Sequence, residues 1–342
     1  MPIGGGTFTV QNKILPGAYI NFVSMGTNAK MGSRGVAALP LELNWGPDDK
    51  VFTMTATDFN ATSLKVFGYD PTDANILLVR EALKRAKSLL IYRVNGGGTK
   101  ASATVGGMTV TAKYGGTHGN DIMVAVITNV DDATKVDVVT YLDGAVMDSQ
   151  TVAKSGGAAS LVANDFVTFG TAATATALTG GTNATVNAAK HTAALNAFEV
   201  ESFNVIGYPG TNTDVKALYG AFVKRLRDDE GRKIVGVLYD YDGDNMGLIN
   251  VKNGVILANG TTLTGDKAVA WVTGASAGAE VNESLTNTAY DDAVDVDIKY
   301  TKSQFEAAIK AGEFTFYADN GKARVLTDIN SLVTIGQNMS SD

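Results

Sequence analysis

The sequence predicts an α/β core domain that is split by an inserted all-β domain and preceded by an extended N-terminal arm. On both sides of the chain centre, segments with the apolar periodicity of a helix lead directly into short apolar segments that indicate strands. This succession is typical of helices packed on a sheet. Between them, residues 99–182 lack Pro, Trp and Arg and show period-2 runs, which indicate strands. We therefore expect an arm over residues 1–22, the α/β core over 23–98 and 183–342, and a sandwich-like or barrel-like β insert over 99–182.

Composition excludes several classes of function. The 342 residues are enough for about two domains with apolar cores. The formal net charge of −7 disfavours direct binding to nucleic acid, because an acidic surface repels phosphates. The absence of cysteine excludes disulfides, thiolate metal sites and cysteine nucleophiles. No apolar run approaches the roughly 18 to 20 residues of a membrane helix, and the N-terminus lacks the pattern of a signal peptide. We therefore expect synthesis in a cytoplasm and no membrane insertion.

The N-terminal arm carries two short strand patterns. Gly4–Gly6 is permissive backbone, and the segments Thr7–Val10 and Ala18–Ser24 flank the turn Pro16-Gly17. A strand needs a partner edge for its backbone N–H and C=O groups. That edge can belong to the strand's own domain, which the pattern alone favours, or to another molecule by strand addition.

The first part of the core is predicted to alternate strand, helix and strand. Alternating leucines predict a strand in Gly35–Trp45, where Pro40 marks an edge or a bulge. Asp58–Gly68 is expected to form a short helix. Thr72 is expected to cap the next helix, which leads into the buried strand Ser88–Val94. The apolar face of this second helix comprises Ile76, Val79, Leu83 and Ala86.

The insert is predicted to consist of strands. Asp143-Gly144 is a strong hairpin signal, because both residues tolerate positive φ. The glycine-rich segments Gly96–Gly98 and Gly180-Gly181 mark the borders where we expect the chain to leave and rejoin the core. The predicted strands are Met108–Lys113, Ile122–Thr128, Thr134–Leu142, Ala145–Val152 and Asn164–Phe169.

The chain then returns to alternating helices and strands. Asn253-Gly254 predicts a hairpin between the strands Leu248–Val251 and Val255–Leu257, and Thr301-x-x-Gln304 is a capping box. The predicted helices are Asn187–Phe198, a long helix from Asn212 or Thr213 to Asp229, Thr264–Ser276 and the helix opened by Thr301. The other predicted strands are Phe203–Tyr208, Lys233–Tyr241, and the pair Phe314–Ala318 and Lys322–Thr327 around Asn320-Gly321.

The residues that usually carry chemistry are few and scattered. The two histidines, His118 and His191, lie in different predicted domains, and neither has a second metal ligand four residues later. A zinc site is therefore not expected. The glycine-rich surroundings of His118 predict a loop or surface histidine rather than a catalytic one.

Three motifs partly match known binding sites, but each lacks residues that the site requires. Asp240–Asn245 matches the start of a calcium loop, but Asn245 and Val251 replace the required glycine and bidentate glutamate, so an acidic turn is expected. Gly260–Lys267 lacks the Gly-Lys-Ser/Thr of a phosphate loop. Pro209-Gly210 leads into a helix without the glycine fingerprint of a nucleotide site. We therefore expect no catalytic, cofactor-binding or metal-binding residues.

Three stretches of the sequence are distinctive in combination: Gly4–Phe22 with GGGTFTVQNK and PGAYINF, Phe203–Gly210 with FNVIGYPG, and Phe314–Leu332 with GKARVLTDINSL. Together they resemble the tail sheath proteins of contractile-tailed bacteriophages, and in particular the sheaths of phage-like elements of Gram-positive bacteria. The resemblance covers the arm and both α/β segments but not the β insert. None of these motifs is catalytic, so their specificity depends on the combination.

The resemblance implies a structural role. Sheath subunits stack as rings around a tail tube, and triggering by the baseplate rearranges them so that the tube is driven through the host envelope. Terminal arms add strands to neighbouring subunits, while Ala18–Ser24 anchors the arm in its home sheet. The candidate interface residues of the arm are then Thr7, Phe8, Thr9, Val10, Ile14 and Leu15.

The resemblance also implies partners and a location. The partners are other sheath subunits, the tail tube protein, the baseplate and the tail terminator, with no cofactor. The location is the virion, after assembly in the host cytoplasm, with the β insert on the outside of the tail. Family members continue past Ile329–Leu332 into a further domain and arm, whereas this sequence stops at Asp342. We therefore expect a truncated chain whose arm lacks its acceptor.

Other hypotheses stay open. A phage-tail-like bacteriocin would use the same subunit, and neighbouring capsid and terminase genes would distinguish a phage from it. A nucleotide-dependent enzyme on the α/β core would reveal itself by nucleotide binding. A carbohydrate-binding insert would be detected on a glycan array, although the insert offers few aromatic residues for stacking: Tyr114, Tyr141, Phe166 and Phe169.

Overall fold

The structure, a computed structural model, describes residues 35–169 and 177–334. The arm residues Thr7, Phe8, Thr9, Val10, Ile14 and Leu15 lie outside this range. The helices are α1 (Ala56–Phe67), α2 (Leu77–Leu83), α3 (Ala188–Glu199), α4 (Thr213–Asp228), α5 (Gly265–Gly278) and α6 (Lys302–Lys310). None of the helices in these two ranges combines the length and the hydropathy that a membrane span requires.

The strands fall into those of the core and those of the insert. Before the insert, the core strands are β1 (Val36–Leu41), β2 (Val51–Thr55) and β3 (Ser88–Arg93). The insert strands are β4 (Lys100–Val105), β5 (Met108–Gly115), β6 (Ile122–Thr128), β7 (Lys135–Leu142), β8 (Ala145–Ala153) and β9 (Val167–Phe169). After the insert come β10 (Val205–Tyr208), β11 (Val235–Tyr239), β12 (Leu248–Val251), β13 (Val255–Leu257), β14 (Thr262–Leu263), β15 (Ala293–Val296), β16 (Glu313–Phe314), β17 (Phe316–Asp319) and β18 (Lys322–Val325).

A seven-stranded sheet organises the core, in the order β16-β12-β11-β10-β1-β3-β2. Neighbouring strands are parallel except β2, which runs antiparallel to β3. Successive side chains of a strand point to opposite faces. In β1, Ala37 and Leu39 belong to the apolar cluster that includes α2 and α5, whereas Ala38 belongs to the cluster that includes α3 and α4. Helices therefore cover both faces, which confirms the predicted α/β core.

Two smaller sheets complete the core. One has the order β14-β13-β15, and the other is the hairpin β17-β18. The predicted turn Asn320-Gly321 joins β17 to β18, and both of its residues have positive φ. The prediction of a pair of strands around this turn is thus confirmed.

The described part of the insert, residues 99–169 and 177–182, contains two three-stranded antiparallel sheets, β4-β5-β9 and β6-β7-β8, around one apolar core. The predicted hairpin turn Asp143-Gly144 joins β7 to β8, with positive φ at both residues. Trp45 follows β1 in the α/β core, yet it is 1% exposed and belongs to the apolar core of the insert. The core domain therefore contributes a side chain that the insert needs for its own packing.

The interpretation of Pro40 as an edge or bulge residue is wrong. β1 is an inner strand between β10 and β3, and its register with β3 is unbroken. The Val36 carbonyl accepts the Asn204 N–H on the β10 side, and backbone alternation places residue 40 on that same side. Registered pairing with β10 ends at Ala38. Pro40, which has no N–H, therefore lies where no ladder bond is required.

The predicted hairpin around Asn253-Gly254 does not form, because β12 and β13 belong to different sheets. Asn253 is fully buried. Its side chain accepts the Phe316 N–H at 2.8 Å and donates to the Phe316 and Ile298 carbonyls at 2.9 and 3.2 Å. A Cβ at Gly254 would lie 1.8 Å from the Leu263 carbonyl oxygen. The Asn-Gly pair thus serves close packing between segments rather than a turn.

Three of the six described helices begin at polar residues that were predicted to start them. Asn187, Asn212 and Thr301 each accept the backbone N–H three residues later. The assignment of Thr72 as a cap is wrong. Asp73 accepts the Asn75 N–H and opens a short 3₁₀ turn, and α2 begins only at residue 77.

Candidate functional site

The described chain begins beside a cleft at the starting ends of the central parallel strands. The side-chain oxygen of Asn204 accepts the N–H groups of Gly35 and Val36, both at 3.0 Å. The adjoining cleft has a volume of about 290 Å³ and is lined in part by Phe203 and Arg232. The guanidinium of Arg232 lies 5.2 Å from the centroid of the Phe203 ring. The cleft therefore lies beside the first residues of the described chain, Gly35 and Val36.

A second open groove combines an apolar floor with an acidic rim. It has a volume of about 670 Å³ and runs between β11, β12 and the segments 281–286 and 327–330. Met246 and Val281 line it with 38% and 53% of their surface exposed. Glu283 and Asp328 supply acidic groups. Exposed apolar side chains rimmed by polar groups are typical of protein contact surfaces.

The helix α6 exposes most of its surface. Among its residues only Ala308 is buried. Ile309 is 38% exposed, and Ile298, just before the helix, is 49% exposed. An amphipathic helix normally covers its apolar side with other protein. α6 is therefore a second candidate for contact with another chain.

The acidic turn expected at Asp240–Asn245 is present, and its carboxylates do not converge on one point. Asp240 pairs with Lys252 at 2.6 Å. Asp242 accepts a hydrogen bond from the Asn250 side chain at 2.7 Å. The hydrogen bond from Lys252 lowers the pKa of Asp240. Burial alone would lower the pKa of Lys252, but the hydrogen bonds to its carboxylate partners raise it overall. The ion pair and the hydrogen bond therefore stabilise the turn.

The third carboxylate of the turn, Asp244, holds the end of the described chain. Its Oδ1 accepts the N–H groups of Val333 and Thr334 at 2.8 and 2.9 Å. Hydrogen bonds from Thr334 and Val333 lower the pKa of Asp244. Ser331 is tied to the same turn, because its hydroxyl donates to the Asn245 carbonyl at 3.1 Å. The acidic turn therefore holds residues 331–334 against the core.

His118 has partners on both ring nitrogens, as expected for a satisfied loop histidine, but it is buried and not at the surface. Its Nδ1 lies 2.8 Å from Asp121 Oδ2, and its Nε2 lies 2.8 Å from the Gly68 carbonyl oxygen. The ring stacks on Tyr69 with centroids 4.0 Å apart. Asp143 Oδ2 lies 3.9 Å from Nε2, so within residues 35–169 and 177–334 three potential metal ligands converge here. Because both ring nitrogens are already engaged, the arrangement works as a contact between insert and core.

His191 and Glu81 are buried groups of the core. His191 Nδ1 lies 3.3 Å from the Tyr219 hydroxyl, and burial lowers the pKa of His191. Glu81 is fully buried, accepts the Tyr290 hydroxyl at 3.0 Å and bonds Lys84 Nζ at 2.9 Å. Burial raises the pKa of Glu81. Neither group faces one of the grooves described above.

Sequence reasoning missed the most deeply buried charged side chains, Glu81 and Arg93, which are 0% and 1% exposed. Glu81 lies on α2, between the apolar positions Val79 and Leu83 that were predicted to face the core. Arg93 follows the apolar run Leu89–Tyr92 directly. The position of Arg93 at the end of a predicted buried strand was the available signal for its burial. Burying a charge is costly unless its donors are satisfied, so an arginine at this position indicates several acceptors around it.

Three sheath-family models match consecutive parts of this chain. The model for the N-terminal region of domain III of the tail sheath protein Gp18 matches residues 34–94. The model for the phage tail sheath protein β-sandwich domain matches residues 96–187. The model for the phage tail sheath protein central domain matches residues 184–331.

This chain is also similar to individual proteins of phage-like elements and tail sheaths. The XkdK protein of the phage-like element PBSX of Bacillus subtilis is 41% identical over 97% of this chain and 76% of the relative. The crystal structure of a sheath tail protein of Desulfitobacterium hafniense is 48% identical, with a TM-score of 0.85 over 94% of this chain and 77% of that one. A sheath tail protein of Listeria innocua is 38% identical, with a TM-score of 0.78 over 91% and 72% of the two chains.

Proposed function

The chain belongs to the phage tail sheath family, whose members are structural proteins and not enzymes, and on that premise we propose that it is a structural subunit of a contractile phage tail sheath. The subunits polymerise around the tail tube and contract to drive the tube through the host envelope. The observation that carries this proposal is the succession of three sheath models over residues 34–331, together with the sheath tail protein structure at 48% identity.

The partners of such a subunit follow from its place in the tail. They are other sheath subunits, the tail tube protein, the baseplate and the tail terminator, and the location is the virion after assembly in the host cytoplasm. The segment Thr7–Val10 donates a strand to a neighbouring subunit, and Ile14 and Leu15 complete the interface of the arm. The open groove beside Val281 and the exposed helix α6 support a subunit that contacts other chains over several surfaces.

The same proposal assigns a role to each part of the chain. Residues 1–22 form the connecting arm, residues 23–98 and 183–342 form the α/β sheath core, and residues 99–182 form a decoration on the outside of the tail. Helices cover both faces of the core sheet, which leaves its loops and edges for contacts with neighbours.

A second function, the sheath of a phage-tail-like bacteriocin or a related contractile injection device, is favoured by the name of one relative, which belongs to a phage-like element rather than to a phage. The two functions use the same subunit. Capsid and terminase genes beside the coding sequence would indicate a phage, and their absence would indicate the second function.

The proposal is tested on intact particles. Antibodies against the exposed loop around Val130, which is 94% exposed, are used for gold labelling before and after contraction is triggered. We expect gold along the whole tail in both states, over a shorter length after contraction. Antibodies against a capsid protein are the control and should label the head only. Gold confined to one end of the tail would contradict a sheath function.

A further inference from the structure

The insert is joined to the core by two chain segments, and glycine residues let these segments pack backbone against backbone. A Cβ at Gly98 would lie 1.8 Å from the Thr182 carbonyl oxygen, and a Cβ at Gly115 would lie 2.1 Å from the Gly98 carbonyl oxygen. Gly116, at φ +140°, would place a Cβ 2.1 Å from the Asn44 carbonyl oxygen. The glycine-rich borders are therefore closely packed crossing points and not loose linkers.

Arg93, the last residue of β3, lies at the centre of this junction. Its guanidinium reaches four separate segments of the chain. Nε donates to Asn95 Oδ1 at 3.2 Å, just after β3. Nη1 donates to the carbonyl oxygens of Gly46 in the core, at 3.1 Å, and Gly115 in the insert, at 2.7 Å. Nη2 donates to Asn183 Oδ1 at 3.2 Å, where the chain returns to the core.

The charge of Arg93 is held without a carboxylate contact. Within residues 35–169 and 177–334 no carboxylate lies at ion-pair distance from it. Burial lowers the pKa of Arg93, and the more distant charges of Asp48 and Asp49 oppose this shift. An arginine nevertheless stays protonated, so the neutral oxygens must satisfy its buried donors. A buried charge of this kind is costly when any of its partners is removed.

We infer that Arg93 is a positioning residue that sets the orientation of the β insert relative to the α/β core. The burial of apolar side chains at the junction, such as that of Trp45, is by itself non-directional. A guanidinium with several fixed acceptors is directional. Its planar fork cannot be reproduced by the single ammonium of lysine. In the sheath, the insert and the core then move as one rigid body when the lattice rearranges. This consequence rests on the proposed function.

The orientation is measured on the purified full chain, so the test does not depend on sheath assembly. The chain has no cysteine, so two cysteines can be added for spin labels without background. Val130 in the insert and Val200 in the core are suitable, with 94% and 69% exposure. Arg93→Lys and Arg93→Met are compared with the control Arg85→Lys, which alters a bidentate ion pair with Asp291 inside the core.

We expect one narrow distance distribution for the unmodified junction and for Arg85→Lys, and a broadened or shifted distribution for both Arg93 variants. A narrow, unshifted distribution in a folded Arg93→Met variant would overturn the inference. If that variant does not fold, Asn183→Ala decides the matter, because it removes an acceptor of Nη2 and keeps the charge. Broadening in Asn183→Ala supports the inference, and an unchanged distribution contradicts it.

Discussion

The buried carboxylate of Glu81 accepts a hydrogen bond from the Tyr290 hydroxyl at 3.0 Å, which ties α2 to the segment before β15. Because burial raises the pKa of Glu81 above its ordinary value of 4.5, the folded state binds a proton more tightly than the unfolded state. Stability from this group is therefore present at low pH and falls as the pH rises above about 4.5.

Glu81→Gln removes this titration and keeps an acceptor for Tyr290. We expect the stability advantage of the wild type over Glu81→Gln to be larger at acidic pH than at alkaline pH. Urea unfolding at a series of pH values measures it. A difference that is constant across the series would show that the Glu81 pKa is the same in both states.

Trp45→Ala should destabilise the protein by about 3–5 kcal/mol, because it removes a large side chain from the insert core. The measurement is denaturant unfolding monitored by circular dichroism. Val130→Ala, at a position that is 94% exposed, is the control and should change stability by no more than about 0.5 kcal/mol. Equal effects of the two substitutions would mean that Trp45 does not complete the insert core.

Gly98→Ala should be more damaging than Gly180→Ala. At Gly98 a Cβ meets the Thr182 carbonyl oxygen at 1.8 Å, a contact that only backbone movement can relieve. At Gly180 a Cβ meets nothing within 4 Å, and the expected cost is the roughly 1–2 kcal/mol of a left-handed residue at φ +78°. Thermal unfolding of both variants gives the comparison. A smaller loss for Gly98→Ala would argue that the junction backbone yields easily.

Asp244→Ala should loosen the end of the described chain. The N–H groups of Val333 and Thr334 lose their acceptor, so their hydrogen exchange should accelerate. In the wild type the same bonds lower the pKa of Asp244 below its ordinary 3.8, so protection of these amides is present above that pH and is lost as the pH falls through the lowered value. Asp214→Ala, at the exposed start of α4, is the control. Unchanged exchange in Asp244→Ala would remove the assigned role.

Much of the core and of the insert could be predicted from the sequence because the signals are local. The helix starts Asn187, Asn212 and Thr301 and the turns Asp143-Gly144 and Asn320-Gly321 act within a few residues of themselves, and each is found where it was expected. The family was likewise recognisable from motifs spread over the arm and both core segments.

The errors concern positions whose role depends on distant partners. Asn253-Gly254 has the composition of a turn, but the partners of Asn253 are Phe316 and Ile298, which lie far along the chain. Pro40 is tolerated in an inner strand because the neighbouring strand stops pairing before it. The role of Arg93 depends on Gly115, which lies in the insert, and on Asn183, which lies just after it. Local pattern carries no information about such contacts.

The order of the seven-stranded sheet determines when the core can close during synthesis. The strands made before the insert, β1, β3 and β2, form one flank, and those made after it form the other. The flanks meet at β1 and β10. There the N–H of Val36 donates a hydrogen bond to the side chain of Asn204, which lies 168 residues later in the chain. The edge of β1 therefore stays unpaired until the whole insert has left the ribosome, and an unpaired edge invites pairing with other chains. The insert, built from neighbouring hairpins, can fold during this interval, whereas closure of the core depends on contacts of high sequence separation and is the slower event.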